Sequence, residues 1–304
     1  MMSRIAVVAG ALASLAGAGA ANAASCQPEF DQPSIDSAIT IGVVKSTQAS
    51  PKYKALAADM YQAAWQRLDF ASENVKVLSD AEIADPNALA GLKVIVLPQV
   101  RSLSVNQRRT LASWVKGGGG LVSLYQSGRD TEKGVTLTPP LKARQQAKAF
   151  PGWGDLSTAY GARILDVGMR TATFSFTGTN PVAQAAARYC GGQLPNFTWK
   201  RDGADVAITG ELAMLQGGAK PLATLKAVQI RTGGRRVAPG SVFGWSNQYG
   251  AGRVVHVGFN LMDAWRGYTF ATYYESSDPD APDTTVALFR GALEWAAGAP
   301  APTA

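Results

Sequence analysis

The sequence is poor in the residues that bind metals: it contains one histidine and two cysteines among 304 residues. A zinc site of the Cys-x-x-Cys type needs more ligands than these, so the composition excludes one. Charged residues make up only 17% of the chain. The basic ones are scattered and form no dense patch with aromatic residues, although the formal net charge is +7. The sequence therefore predicts neither a metal site nor a nucleic-acid partner.

The first 23 residues have the pattern of an export signal. Arg4 precedes a short apolar run of small residues that ends in Ala21-Asn22-Ala23. This pattern is typical of a Sec-type signal peptide that is cleaved after Ala23. The run is too short and too rich in alanine and glycine to favour a transmembrane anchor. We expect the mature protein in a periplasm or outside the cell, without a membrane span.

The two cysteines, Cys26 and Cys190, are predicted to form a disulfide, because the only two cysteines of an exported protein most simply pair with each other. Free buried thiols are the alternative. The bond would tie the mature N-terminus to a distant loop. Closing so long a loop stabilises a fold by restricting the unfolded chain.

Hydrophobic patterning predicts one α/β domain over residues 38–298, between a polar lead-in at 24–37 and a disordered tail at 299–304. The clearest part is 91–129, where a strand, an amphipathic helix and a second strand form a βαβ unit. Such a unit implies a parallel sheet with helices on its faces. Predicted strands lie at 38–44, 75–78, 93–97, 121–124, 241–246 and 254–258, and predicted helices at 51–68, 104–116 and 284–297.

Residues 129–240 are predicted to be a β-rich insertion into this domain. A strand pair is expected at 162–167 and 171–176, where threonine and serine alternate with apolar residues. A short helix is expected at 183–189, followed by short strands at 206–208, 223–225 and 227–230.

The carboxyl ends of the predicted strands are the expected place for a ligand, as in other parallel α/β sheets. The residues there predict a pocket with a polar floor and a charged, aromatic rim: Gln99, Tyr125, Gln126 and Asn260 form the floor, and Arg129, Asp263 and Trp265 the rim. Aromatic residues near strand ends could together form a shallow surface for a sugar or a protein. These are Tyr125, Trp153, Trp245, Tyr249, Trp265, Tyr268, Tyr273 and Tyr274. For each of these residues taken singly, packing between core and insertion is the favoured interpretation.

Four segments together resemble the class I glutamine amidotransferase-like superfamily: KVIVLPQVRSLSVNQRRTLASWVKGGGGLVSLYQSG, TGTNPVAQA, YGAGRVVHVGFNL and LFRGALEWAAG. Within it, the sequence is most similar to ThuA-like proteins and to the middle (trimerisation) domain of family 42 β-galactosidases. The resemblance covers about residues 38–130 and 241–297. It implies a flavodoxin-like parallel sheet flanked by helices.

The resemblance also implies a nucleophilic cysteine on the turn after the strand at 121–124, where this sequence has Tyr125. A phenol with a pKa of about 10 is a poor acyl nucleophile at neutral pH. The general base would be a histidine on a late loop, whereas His256 lies within a predicted strand and is expected to be a core residue. We therefore predict a catalytically degenerate module that binds glycans or an envelope protein, or that serves in assembly.

Two alternatives stay open at this point. A secreted hydrolase would act on carbohydrate through carboxylates at the strand ends, with Asp130 or Asp263 assisted by His256 or Tyr125. A structural subunit would form a homo-oligomer through a sheet edge or the last helix. No cofactor or metal is predicted. The glycine run at 117–120 precedes a strand instead of opening a helix, and residues 278–283 lack the glycine and terminal glutamate of a calcium loop.

Overall fold

The computed structural model describes residues 26, 39–49, 58, 61–62, 64, 74–131, 153–200, 208–230, 237–259, 261 and 281–298. Within them, ten strands form one sheet. The strands are β1 (Ile41–Val44), β2 (Val75–Leu78), β3 (Val94–Leu97), β4 (Gly120–Leu124), β5 (Ala162–Phe176), β6 (Phe197–Lys200), β7 (Ile208–Leu215), β8 (Lys220–Ile230), β9 (Val242–Tyr249) and β10 (Gly252–Val257). The helices are α1 (Val105–Lys116), α2 (Ser157–Tyr160), α3 (Pro181–Ala187) and α4 (Ala281–Ala296). Residues 58, 61, 62 and 64 are also helical.

One half of the sheet is parallel. Strands β2, β1, β3, β4 and β10 lie side by side in that order and run in the same direction. This is the strand order of flavodoxin-like sheets, so the predicted fold class is confirmed. Strands β1, β3 and β4 are buried along their whole length, as expected for strands covered on both faces.

The other half of the sheet is antiparallel and continues from β10 through β9, β7, β5 and β6, while β8 pairs with both β5 and β9. The strands of the predicted insertion at 129–240 therefore extend the core sheet. The predicted strand pair at 162–167 and 171–176 is one continuous strand, β5, with an irregularity in its pairing to β8 between Met169 and Thr171. Strand β7 reaches Leu215, well beyond the predicted end at 208.

Alternating side chains of the parallel strands reach two separate apolar layers. In β3, Val94 and Val96 pack into a cluster that includes α3 and α4. Ile95 and Leu97 pack on the opposite face, in a cluster that includes α1 and Trp153. This alternation follows from the two-residue period of a strand and explains the unbroken apolar run in the sequence.

Local capping signals in the sequence agree with the structure. Ser104 caps α1 and forms a capping box with Gln107, so this helix begins where the sequence predicts. Ser79 and Glu82 also form a capping box: the Ser79 N–H donates to Glu82 Oε2 at 2.8 Å, and the Glu82 N–H donates to Ser79 Oγ at 3.3 Å. The helix that it opens is only a 3-10 turn, Glu82–Ala84. Among the described residues, no helix is both long and apolar enough to cross a membrane.

Cys26 and Cys190 are joined by a disulfide across 164 positions of the chain. Both residues are buried in the layer formed by α3 and α4, and Cys26 Sγ lies 3.6 Å from the hydroxyl of Thr284 in α4. The bond therefore fastens the start of the predicted mature chain to the helical layer.

Reduction of this disulfide should destabilise the protein by about 2–5 kcal/mol, because the bond closes a long loop in the unfolded chain. Urea unfolding with and without dithiothreitol measures the change. The double variant Cys26→Ala/Cys190→Ala is the control and should be insensitive to the reductant. Equal stability of the parent protein in both buffers would contradict the prediction.

Candidate functional site at the ends of β3 and β4

The loops that follow β3 and β4 are joined by backbone hydrogen bonds. The Gly128 N–H donates to the Val100 carbonyl at 2.7 Å, and the Asp130 N–H donates to the Arg101 carbonyl at 2.8 Å. Ser127 adds to this contact, since its hydroxyl donates to the Leu97 carbonyl at 2.8 Å. The two loops therefore form one rigid unit at the carboxyl end of the parallel sheet.

Both loops contain a strained glutamine. Gln99 has φ 53° and Gln126 has φ 62°, and these are the non-glycine residues with positive φ in the described chain. Such backbone conformations cost of order 1–3 kcal/mol each and occur often at binding and catalytic sites. A nucleophile elbow places its reactive residue on such a strained turn after a strand. Here the strained residue is Gln126, one position after Tyr125, and its amide is not a nucleophile.

The side chains of this unit bind one another. Arg101 donates to Gln126 Oε1 at 2.7 Å and forms an ion pair with Asp130. The Gln126 amide in turn donates to the Tyr125 hydroxyl at 2.8 Å.

The structure thus brings predicted pocket residues together, but it buries them. Gln99, Tyr125, Gln126 and Arg129 are each less than a tenth exposed, and Arg129, expected at the rim, lies inside. Asn260, Asp263 and Trp265 lie outside the described residues.

Three buried oxygen atoms in these loops have no hydrogen-bond partner in the described chain: Gln99 Oε1, Ser102 Oγ and Asp130 Oδ1. Ser102 and Asp130 are direct partners in a β-bridge between the two loops. Buried polar atoms are nearly always hydrogen-bonded, so several unpaired oxygens in adjoining loops are unusual. A ligand with O–H or N–H groups could supply the missing donors.

A second polar cluster lies beneath the turn after β4 and is centred on Glu211 of β7. His256 Nε2 lies 2.9 Å from Glu211 Oε2, and the Gln126 N–H donates to the same oxygen at 3.0 Å. His256 Nδ1 lies 3.1 Å from Ser123 Oγ, which accepts the hydroxyl proton of Tyr160 at 2.6 Å. We call Glu211, His256, Ser123 and Tyr160 the buried network. A neutral His256 with its proton on Nε2 matches every donor of the network to an acceptor.

Charge pairing keeps the Glu211 carboxyl ionised. Burial raises the pKa of Glu211, but the hydrogen bond from His256, the charge of Arg129 and the Gln126 N–H together outweigh it, so the pKa is held below its ordinary value. The Arg129 Nε lies 3.6 Å from Glu211 Oε1, and both side chains are buried. Burial also raises the pKa of Tyr160, so its phenol stays protonated and can donate to Ser123.

Aromatic rings enclose His256 on the side of the sheet that carries α1. Trp153 and Tyr160 are stacked with their centroids 4.2 Å apart, and both meet the imidazole edge-on. Trp245 lies 4.5 Å from the imidazole, centroid to centroid. Trp153 and Trp245 are both fully buried, so they take part in packing and not in a shallow exposed surface. Their indole N–H groups donate to the carbonyls of Ser127 and Tyr160.

The buried network has the order of a serine–histidine–acid triad, but its surroundings do not suit catalysis. A triad serine must reach a substrate carbonyl, whereas Ser123 lies within β4, is fully buried and already binds Tyr160. His256 is a core residue, as its position in the sequence predicts. The network therefore connects β4, β7, β10 and α2 and supports the loop that contains Gln126.

Glu211 is the site residue that the sequence analysis missed. It follows the short predicted strand at 206–208, and nothing in the sequence pairs it with His256. The contact between Glu211 and His256 depends on Gly258, because a side chain at that position would collide with the backbone. Its Cβ would lie 2.6 Å from the Glu211 carbonyl oxygen and 2.8 Å from that of Phe243. Among the residues that the structure describes, no group of three or more His, Cys, Asp or Glu side chains could hold a metal ion.

Comparison with known proteins identifies relatives by fold alone. No protein-family model matches the sequence, and no curated protein is significantly similar to it. A ThuA-like protein from Parabacteroides merdae aligns with a TM-score of 0.51 at 14% identity, over 88% of this chain and 92% of that one. A ThuA-like protein from Bacteroides uniformis aligns with a TM-score of 0.51 at 12% identity, over 83% and 91%.

A β-galactosidase from Bacillus circulans aligns with a TM-score of 0.52 at 13% identity, over 86% of this chain but only 32% of the enzyme. The chain spans about a third or less of the length of each of the first β-galactosidases that it matches. The expected likeness in fold to ThuA-like proteins and β-galactosidase segments is confirmed.

Substituting Glu211→Gln should destabilise the fold by about 3–5 kcal/mol, because it removes the negative member of a buried ion pair with Arg129. Since the pKa of Glu211 is lowered in the folded protein, its contribution is fully present above the pKa of the unfolded chain, about 4.3. The contribution disappears as the pH falls through the folded-state value.

Urea unfolding of the parent and variant between pH 3 and 7 measures this difference, which should shrink towards the acid end. Glu82→Gln removes an exposed carboxylate and serves as the control, with a much smaller effect expected. A difference between parent and Glu211→Gln that does not change with pH would show that the pKa of Glu211 is the same in the folded and unfolded protein, and a difference that grows towards acid pH would show that the carboxyl is neutral in the fold.

Proposed function

We propose that the chain is an exported, catalytically degenerate amidotransferase-like module that binds a glycan at the ends of β3 and β4. The observation that carries this proposal is the set of three buried, unpartnered oxygens: Gln99 Oε1, Ser102 Oγ and Asp130 Oδ1. The predicted signal peptide supports export. A module that binds an envelope protein instead of a glycan is the other form of this proposal.

Hydroxyl groups suit these oxygens chemically. An unpaired buried acceptor costs about 1–3 kcal/mol, and a ligand O–H group that reaches it would recover that cost. Asp130 is already paired with Arg101, so the site has no excess negative charge that would call for a cation. A neutral, hydroxyl-rich ligand such as a sugar therefore fits the loops better than an ion does.

The same geometry argues against catalysis at this turn. The strained residue after β4 is a glutamine, and the serine and histidine beneath it are sealed by Trp153, Tyr160 and Trp245. The fold neighbours are compatible with a carbohydrate ligand, since one of them is a β-galactosidase.

A secreted carbohydrate hydrolase is the second candidate, favoured by one specific observation. Two buried carboxylates, Asp130 and Glu211, are linked through Arg101 and Gln126. A pair of carboxylates is the usual catalytic equipment of glycosidases. Each of these carboxylates, however, is paired with an arginine, Asp130 with Arg101 and Glu211 with Arg129. The pKa of Glu211 is held below its ordinary value, which disfavours a general-acid role for that carboxyl.

Isothermal titration of the chain from residue 24 onwards with lactose and chitobiose tests the proposal. Gln99→Gly removes one unpartnered oxygen at a position where glycine adopts the positive φ without strain, and it should weaken binding about fivefold or more. Gln193→Gly removes an exposed amide on a distant loop and should bind like the parent.

Two outcomes would count against the glycan site. Absence of binding by both sugars would leave a protein-binding or self-assembling scaffold as the better account. Equal affinity of the parent and Gln99→Gly would place any sugar elsewhere. Release of reducing ends from either sugar by the parent, but not by Asp130→Asn, would establish the hydrolase instead.

A further inference from the structure

A cavity of about 410 Å³ lies at the opposite end of the sheet from the glutamine loops. Tyr249 at the end of β9 faces Gly252 at the start of β10, whereas β10 meets the turn after β4 at its other end. The cavity is formed by the end of β9, α2, the start of β5 and the turn after β7. Its size is within the range of small-molecule sites, about 300–1,000 Å³.

Arg163 is the charged residue among the described residues that line this cavity. Its Nε is buried and has no hydrogen-bond partner in the described chain. The Nε atoms of Arg108 and Arg129 likewise lack a hydrogen-bond partner, but each of these side chains has another contact: Arg108 donates through Nη2 to the Asp130 carbonyl, and Arg129 pairs with Glu211. A guanidinium with a buried, unsatisfied N–H is suited to a ligand carboxylate or phosphate, with which arginine forms paired hydrogen bonds.

The rest of the lining is polar and uncharged. It consists of hydroxyl, amide and glycine residues together with one phenol: Ser157, Thr158, Gly161, Gln216, Gly217, Gly218, Asn247, Gln248 and Tyr249. Amides and hydroxyls can donate to and accept from sugar hydroxyls, and a tyrosine ring can pack against a sugar ring. A single positive charge matches a monoanion better than a phosphate dianion.

Two features fix one wall of the cavity. Gly161 has φ 62°, and a Cβ at this position would lie 2.7 Å from Asn247 Cγ. Asn247 is fixed by a hydrogen bond from its amide to the Ala159 carbonyl at 2.8 Å. The wall is thus set by the turn after α2 and by β9, both of which belong to the well-packed face of the sheet.

We propose that this cavity binds a carboxylate-bearing sugar of the uronic-acid class, with its carboxylate on Arg163 and its hydroxyls on the surrounding amides. The site is independent of the glycan site at β3 and β4, because it differs in location, in charge and in the class of sugar.

Isothermal titration with sodium galacturonate, galactose and sodium phosphate tests the proposal. The parent should bind galacturonate more tightly than galactose or phosphate. Arg163→Gln should weaken galacturonate binding about tenfold or more through loss of the charge-assisted hydrogen bonds. Arg163→Lys keeps the positive charge but loses the planar guanidinium group. Its affinity for galacturonate should therefore lie between those of the parent and Arg163→Gln. Arg109→Gln removes one exposed positive charge outside the cavity and should leave the affinity unchanged.

Three results would overturn the proposal: no binding of galacturonate, an affinity that Arg163→Gln does not alter, or phosphate binding through Arg163 as tight as galacturonate. The thermal midpoint of each variant confirms that it folds. Lactose titrations of Arg163→Gln and galacturonate titrations of Gln99→Gly separate the two sites, since each substitution should affect only the sugar of its own site.

Discussion

A carboxylate that is buried away from water must be matched by donors, and Glu211 receives its donors from segments far apart in the chain. His256 of β10 and the Gln126 N–H of the turn after β4 donate to Oε2, and Arg129 from the loop beyond that turn compensates the charge at 3.6 Å from Oε1 without a hydrogen bond to that oxygen. Removing any one of them would leave a charge or a dipole without compensation in the low-dielectric interior. This requirement holds β7 against the parallel half of the sheet and fixes the backbone of Gln126 in its strained conformation.

The same constraint explains how the parallel and antiparallel halves of the sheet are joined. The five parallel strands form a flavodoxin-like half, and the antiparallel strands continue it beyond β10. The strand pairing between β7 and β9 consists of a single residue pair, Ala213 with Val242. The join is reinforced on one side by Gly258, whose N–H donates to the Phe243 carbonyl and whose own carbonyl accepts from the Glu211 N–H, each at 2.6 Å. Aromatic packing around His256 reinforces it on the other side.

The sequence predicts the parallel half of the fold well, because its signals are local. The apolar run of β3, the capping box at Ser104 and the glycines after α1 each specify structure within a few residues. The antiparallel half is less predictable, since its strands carry mixed polar and apolar residues and their ends are set by pairing with neighbours. Strand β5 shows this clearly, because its pairing continues through the Met169–Thr171 irregularity, where the sequence suggests a break.

The candidate site is predictable only in part, for the same reason. Gln99, Tyr125, Gln126 and Arg129 could be named because strand ends are visible in the sequence, and the structure does bring residues of this set into contact. Their burial, the pairing of Arg129 with Glu211 and the enclosure of Trp153 depend on contacts between residues up to about a hundred positions apart. No pattern in a single sequence specifies such contacts.

The solitary histidine gives this fold an internal reporter. Because His256 is the one imidazole in the chain and lies between Ser123 and Glu211, its ring nitrogens have a spectroscopic signature that needs no assignment by mutation. Nitrogen-15 chemical shifts distinguish the two neutral tautomers from the cation, so one resonance pair reads out the direction of the hydrogen bonds in the centre of the sheet. Any event at the Gln126 turn that disturbs the Glu211 carboxylate would change that signal, although the histidine itself never meets solvent.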